Sequence, residues 1–252
     1  MTTDLTTTSG ATAPSSAEPD DQPMAVMSLV DHLSELRSRI FKMILAVAGG
    51  SVIGLIFNRE IRNLLLTPLP TQQVQVLSPG DAFSITLRIA IIAGFILAMP
   101  VILYQAWAFI APGLTERERK AIRPWVPLSL LFFALGVAIA WVVLPLAVHF
   151  LLSFTDDQLV ANLAAGPYFG FIGMLFLGIG VAMQYPIVLY ALARVGIVSS
   201  AQLRRSRRYV ILIIAIVAAA LTPPDAFSQI VLGVVMYALF EVTLLAITRS
   251  GH

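Results

Sequence analysis

A carboxylate can hold a guanidinium through two parallel charge-assisted hydrogen bonds. Two short segments of this chain set glutamates among basic residues where that chemistry would be available: His32-Leu33-Ser34-Glu35-Leu36-Arg37-Ser38-Arg39 and Thr115-Glu116-Arg117-Glu118-Arg119-Lys120. Each adjoins a long apolar stretch, so Glu35 and Glu118 would stand in a cationic rim at a membrane edge, suited to docking an arginine-bearing ligand. Plainer accounts exist for both. Leu29, Leu33, Leu36 and Ile40 recur at helical spacing, which predicts an amphipathic helix over 28–39, with Ser28 and Asp31 resembling its cap. On it Glu35 and Arg39 form an i,i+4 pair worth a few tenths of a kcal/mol. Thr115-x-x-Glu118 fits a capping box opening a helix, and Glu116 with Lys120 makes another helical pair. Spacing alone leaves both accounts open.

Two polar residues fall inside apolar stretches. Gln184 lies about 22 Å along its predicted helix from Tyr168-Phe169, and Glu241 lies at a similar depth from Asp225, toward the basic end. An ionisable group within a membrane costs about 2.5 kcal/mol or more and marks a functional position by default. Interhelical hydrogen bonding is the alternative for Gln184. For Glu241 the alternatives are snorkelling or an ion pair with an arginine at the rim.

The elements that would carry these groups are membrane spans. The 252-residue chain is 58% hydrophobic and only 12% charged, with a mean hydropathy of +0.87. A soluble domain carries roughly 25% charged residues, so this is an all-α membrane protein. About 20 apolar residues cross a 30 Å core, which selects Ile40–Phe57, Phe83–Ile110, Trp125–Phe154, Tyr168–Val195 and Phe227–Ile247. Tyr209–Leu221 offers only about 20 Å of helix. It counts as a sixth span because Thr222-Pro223-Pro224-Asp225 reads as a tight turn into the next helix. Pro100, Pro124, Pro127, Pro145 and Pro186 remove backbone donors and should bend the spans; Gly50 and Gly54 permit close helix packing. Residues 1–27 form a predicted disordered tail, 28–248 the membrane domain and 249–252 a short C-terminal tail. Arg37, Arg39 and Lys42, Arg117 to Arg123, Arg194 to Arg208 and Arg249 gather on one side. Only Arg59, Arg62 and Arg88 lie toward the other. The positive-inside rule then places both termini in the cytoplasm.

Several chemistries lack their motifs. There is no cysteine and only three histidines, far apart, so disulfides, thiolate catalysis and a metal centre are not expected. No phosphate-binding glycine loop, His-Glu-x-x-His or Gly-x-Ser-x-Gly occurs. Neither an enzyme nor a cofactor is expected, and nothing points to nucleic acid.

Taken with their order, the segments at 32–39, Pro100 to Pro112, the following Glu116 to Lys120, and Leu221 to Gln229 resemble TatC, the multi-span receptor component of the twin-arginine protein translocation system. The resemblance covers about residues 28–248. It implies six bent helices in a cupped, concave arrangement in the cell membrane. It also implies binding of the twin-arginine signal peptides of folded cargo proteins and assembly with TatA- and TatB-like single-span proteins in a multimeric complex driven by the proton-motive force. By position, Glu35 and Glu118 fall where the family's signal-recognising glutamates fall. Arg37 and Phe109 would border that surface, and Asp225 would shape the outer turn. Pro68, Gln229 and Glu241 also match, the latter two as intramembrane polar positions. Some members carry glutamate where this chain has Gln184, which keeps hydrogen bonding for partner docking but cannot ionise. The two last spans, read as short, would leave a thin membrane region beside them.

The competing reading is a small-solute or ion secondary transporter, with Glu241, Gln184 and Arg88 lining a path. It predicts that the polar residues converge near mid-membrane.

Overall fold

The computed structural model describes residues 29–156, 162–222 and 226–249, and among them it is helical apart from connecting turns and one isolated bridge. The predicted amphipathic helix and first span are one continuous element, α1 (Leu29–Ile56), followed by α2 (Asn58–Leu66). The second span is α3 (Asp81–Ile110). A 3-10 turn at Ala111–Gly113 and the short α4 (Glu116–Ile122) lead into α5 (Trp125–Leu152). The fourth span divides into α6 (Ala165–Ala182) and α7 (Tyr185–Arg194). Then come α8 (Ser200–Arg205), α9 (Arg207–Leu221) and α10 (Ala226–Arg249).

Five helical stretches are long and apolar enough to cross a membrane, within α1, α3, α5, α6–α7 and α10. The fifteen residues of α9 make about 22 Å of helix, below the roughly 30 Å needed. It lies against α10 and α6. Of the last two expected spans only this one is short: α10 runs for 24 residues, so the expectation of two short final spans is corrected to one. The expected 1–27 tail and Asp225 of the outer turn lie outside the described residues.

Prolines act differently at different places. Pro100 and Pro145 sit inside uninterrupted helices. Pro124 precedes α5 as its cap residue and Pro127 falls in its first turn, where a missing N–H breaks no helical bond. These two therefore start a helix rather than bend one. Pro186 has no N–H for the carbonyl of Ala182, and there the α-helical ladder stops: the Gln184 amide turns instead to Val181 O at 2.9 Å. The break puts Gln184 at the start of α7.

Packing runs from α1 on α3, through α3 on α5 and α6, to α7, α10 and α9. The main core lies among α3, α5 and α6, where Ile89, Val143, Leu144, Phe169, Ile172, Leu175 and Ile179 are buried. A second core at the basic end gathers Ile122, Tyr190, Leu203, Phe240 and Ile247. Glycine sets the α1–α3 distance. A Cβ on Gly50 would lie 2.7 Å from Gly94 O, and one on Gly54 2.8 Å from Ala90 O. Gly49, one residue away, has nothing within 4 Å. Gly50→Leu should therefore lower stability by about 1–3 kcal/mol through overpacking, while Gly49→Leu should not. Thermal unfolding of the two variants in detergent checks this.

Candidate functional site

At the basic end, α1, the end of α3, the 3-10 turn and α4 enclose an open cleft of about 710 Å³. Helical periodicity brings Glu35 and Arg39 to the cleft together, one turn apart on α1. From α3 come Tyr104 and Trp107, and from α4 and the turn after it Glu116, Arg119, Lys120 and Arg123. Arg39 Nε donates to Glu35 Oε1 at 3.0 Å, and its Nη2 reaches the same oxygen. Arg39 Nη1 donates to Gln105 Oε1 at 3.2 Å, tying α1 to α3. Both charged side chains are mostly covered, at 23% exposure for Glu35 and 19% for Arg39. Glu35 Oε2 is buried with no hydrogen-bond partner among the described residues. Leaving such an oxygen unmatched costs about 1–3 kcal/mol or more, so Glu35 is a carboxylate with half its accepting capacity unused.

Glu118 occupies a different setting. Thr115 N and Thr115 Oγ1 both donate to Glu118 Oε2 at 2.8 Å, and Glu118 N donates back to Thr115 Oγ1 at 3.4 Å. The capping box anticipated from the spacing is formed. Those hydrogen bonds, from the Thr115 amide first and its hydroxyl second, hold the Glu118 carboxyl below its ordinary value. Glu118 is not among the residues lining the Glu35 cleft; the carboxylate that α4 contributes there is Glu116. Glu116 pairs with Lys120 at 3.9 Å, both groups almost fully in solvent, an arrangement worth little in itself.

The remaining positions at this end divide between faces of α1 and α3. Arg37, two residues from Glu35 and so on the far side of a helix, lines a groove with Leu33, Ile40 and Phe41, away from the cleft. Phe109 stacks on His32 with ring centroids 4.4 Å apart, fixing the start of α1 to the end of α3. The roles of Gln105, Tyr104 and Trp107 were not visible in the sequence. Gln105 is 66 positions from Arg39, and no local periodicity connects them.

Deeper polar groups are spoken for. Gln184 Nε2 donates to Ser129 O at 3.2 Å, beside an apolar groove of about 390 Å³ between α3, α5 and α7. Glu241 accepts from Arg207 Nη2 at 2.8 Å and from the Tyr237 hydroxyl at 2.8 Å, the rim pairing that its sequence position had allowed. Gln229 Nε2 donates to Ala215 O at 3.2 Å, joining α10 to α9. Pro68 is half-buried in the turn after α2. Arg88 Nη1 donates to Gly166 O at 3.1 Å. Gln184, Glu241 and Arg88 thus engage α5, α9 and α6 separately, which does not favour one shared polar path. Among the described residues no three His, Asp or Glu side chains gather as a metal site would require.

Comparison with known proteins adds the following. The family model for the Sec-independent protein translocase protein TatC matches residues 31–234. The protein of that name from Carboxydothermus hydrogenoformans is 36% identical over 229 residues, covering 89% of this chain and 93% of the relative. Its counterpart in Escherichia coli K12 is 37% identical over 229 residues, covering 88% and 87%. A crystal structure of the twin arginine translocase receptor TatC in DDM superposes with a TM-score of 0.73 at 36% identity, covering 85% of this chain and 98% of that one. A second structure of that receptor gives 0.72 at 35% identity, covering 88% and 100%.

Proposed function

The chain belongs to the TatC family of Sec-independent protein translocase proteins, and from that premise we propose that it is the receptor subunit that reads the arginine pair of twin-arginine signal peptides, with Glu35 as the principal reader. It is a multi-pass membrane protein and a transport component. The observation that carries the finer reading is Glu35 at the wall of a cleft open to one end of the bundle, a carboxylate whose second oxygen is buried and unmatched. The same carboxylate already holds a guanidinium, that of Arg39, so its geometry suits the group it would receive. Because Oε2 is buried as the cleft stands, an incoming arginine would reach the carboxylate by displacing Arg39 toward Gln105, its other partner. Arg119, Lys120 and Arg123 along the cleft keep a lone cation from collecting there without that specific contact.

Glu118 contributes in this reading through the oxygen that Thr115 does not hold, at the neighbouring edge rather than within the cleft. Arg37 and Phe109 border the surface, Arg37 toward the membrane-facing side and Phe109 through His32. Both termini are cytoplasmic, the membrane is the cell membrane, and α9 completes a sixth span with the bilayer thinned beside it. TatA- and TatB-like single-span proteins join when cargo is bound, the proton-motive force supplies the energy, and Gln184, Gln229 and the exposed apolar faces near them offer the intramembrane contacts. Pro68 and Asp225 serve the turns on the outer side.

The test is a comparison of peptides on the detergent-solubilised protein. A twin-arginine peptide should bind about tenfold or more tightly than its twin-lysine counterpart, because an ammonium cannot form the planar two-bond fork. Equal binding of the two, measured by fluorescence anisotropy, would remove the guanidinium-reading role.

A further inference from the structure

Arg88 is an exposed cation near the start of an otherwise apolar helix. It stands seven residues into α3, about 10 Å from its start, between the exposed apolar side chains of Leu87 and Ile91. A guanidinium carries five donors, and here the one hydrogen bond found among the described residues runs from Nη1 to Gly166 O at 3.1 Å. No described carboxylate forms an ion pair with it. Its position is nonetheless built. A Cβ on Gly170 would lie 2.7 Å from Arg88 Nη1, so the glycine is what lets the guanidinium lie against the α6 backbone. A cation at the edge of an apolar span is favoured by an anionic partner such as a lipid headgroup.

The neighbours of that contact line a cavity. Ile89 and Ile92 beside Arg88, and Phe169 and Ile172 beside Gly170, form its near end; it continues along Ala93, Ile96, Trp141 and Phe176. Its volume is about 340 Å³ and its walls are almost wholly apolar. These walls would not satisfy the backbone of an extended peptide, which has no water to turn to inside a bilayer. Leu64, Leu97 and Trp141 at its rim are exposed, so the cavity opens on the outer face of the bundle. A hydrocarbon chain fits the volume, and a phosphate fits the cation, since guanidinium and phosphate form bidentate charge-assisted pairs.

We propose that Arg88 and this cavity are a glycerophospholipid site, with the phosphate bonded to the free edge of the guanidinium and one acyl chain lying between α3, α5 and α6. The lipid supplies the missing counter-charge and covers an open apolar groove beside the main core, toward the end of the bundle opposite the Glu35 cleft.

Trp141 lines the cavity and reports on it directly. The full chain with Trp107→Phe and Trp125→Phe, leaving Trp141 as the one tryptophan, is placed in bicelles and titrated with phosphatidylglycerol carrying brominated acyl chains, or with diacylglycerol carrying the same chains. Quenching by the phospholipid should saturate with about fivefold higher apparent affinity, the effect of about 1 kcal/mol for one basic residue near a lipid headgroup. Arg88→Gln should bring the two lipids to equal affinity, and Ala93→Phe, which fills the cavity, should abolish saturable quenching by both. Gly170→Ala, which pushes the guanidinium off α6, should weaken the preference and serves if Arg88→Gln does not fold. Equal affinities in the parent, a preference untouched by Arg88→Gln or Gly170→Ala, or quenching untouched by Ala93→Phe would each overturn the proposal.

Discussion

Glu35→Gln should weaken binding of a twin-arginine peptide by at least tenfold, and Glu35→Gln combined with Glu118→Gln should remove most of the affinity. The magnitude follows from the chemistry: a hydrogen bond to a charged group contributes about 1.5–3 kcal/mol, and a neutral amide accepts at one oxygen only. The two substitutions are useful because they spare the local fold. Glutamine serves at the third position of a capping box as glutamate does, so Glu118→Gln keeps the Thr115 contacts seen at 2.8 Å while removing the charge. Glu35→Gln retains one acceptor for Arg39. Arg39→Gln separates recognition from support. If Glu35 acts only by holding Arg39, both single variants lose binding alike. If Glu35 is the reader, Arg39→Gln vacates Oε1 and binding stays level or tightens. Isothermal titration with one peptide against the four variants decides it, and unchanged affinity in the double variant removes both glutamates from recognition.

Much of the architecture was legible because membrane spans announce themselves by length and hydropathy. Residues 83–110 were expected as one span and form Asp81–Ile110; residues 125–154 were expected as another and form Trp125–Leu152. Local pairings were legible too, since i,i+3 and i,i+4 neighbours meet in any helix: the Thr115–Glu118 box, the Glu35–Arg39 pair and the Glu116–Lys120 pair all occur. What lay beyond reach depends on which faces of separate helices meet. Nothing local to residues 116–118 says that Glu116, and not Glu118, turns toward Glu35; that depends on how the Ala111–Gly113 turn aims α4. Gln105 and the His32–Phe109 stack are likewise products of α1 lying on α3, at a separation set by Gly50, Gly54 and Gly94. The break at Gln184 was signalled by Pro186, but only the structure distinguishes it from the uninterrupted helices around Pro100 and Pro145.

The largest stability effect is expected at the Arg207–Glu241 ion pair. Arg207 at the start of α9 donates to Glu241 at 2.8 Å, and Tyr237 one turn earlier on α10 donates to the other carboxylate oxygen, also at 2.8 Å. These bonds link the short α9 to a helix long and apolar enough to cross, and they balance a carboxylate that is 29% exposed. Arg207→Gln leaves the carboxylate without its counter-charge. Breaking a buried pair on one side costs about 3–5 kcal/mol; solvent around Arg207, which is 48% exposed, reduces that to about 2–3 kcal/mol. Glu241→Gln strands the cation instead, but Arg207 can turn to water, so the loss should be smaller. Replacing both by glutamine should recover most of the stability lost in Arg207→Gln, because two amides can bond each other without charge. Thermal unfolding in detergent reads the cycle: a double variant as unstable as Arg207→Gln would mean that the ion pair is not what fastens α9. If fastening is its role, Arg207→Gln should also raise hydrogen exchange in α9 selectively, with α3 and α6 unaffected. That pattern follows from packing, since α9 meets the bundle chiefly through α10 and α6 and has little else to hold it.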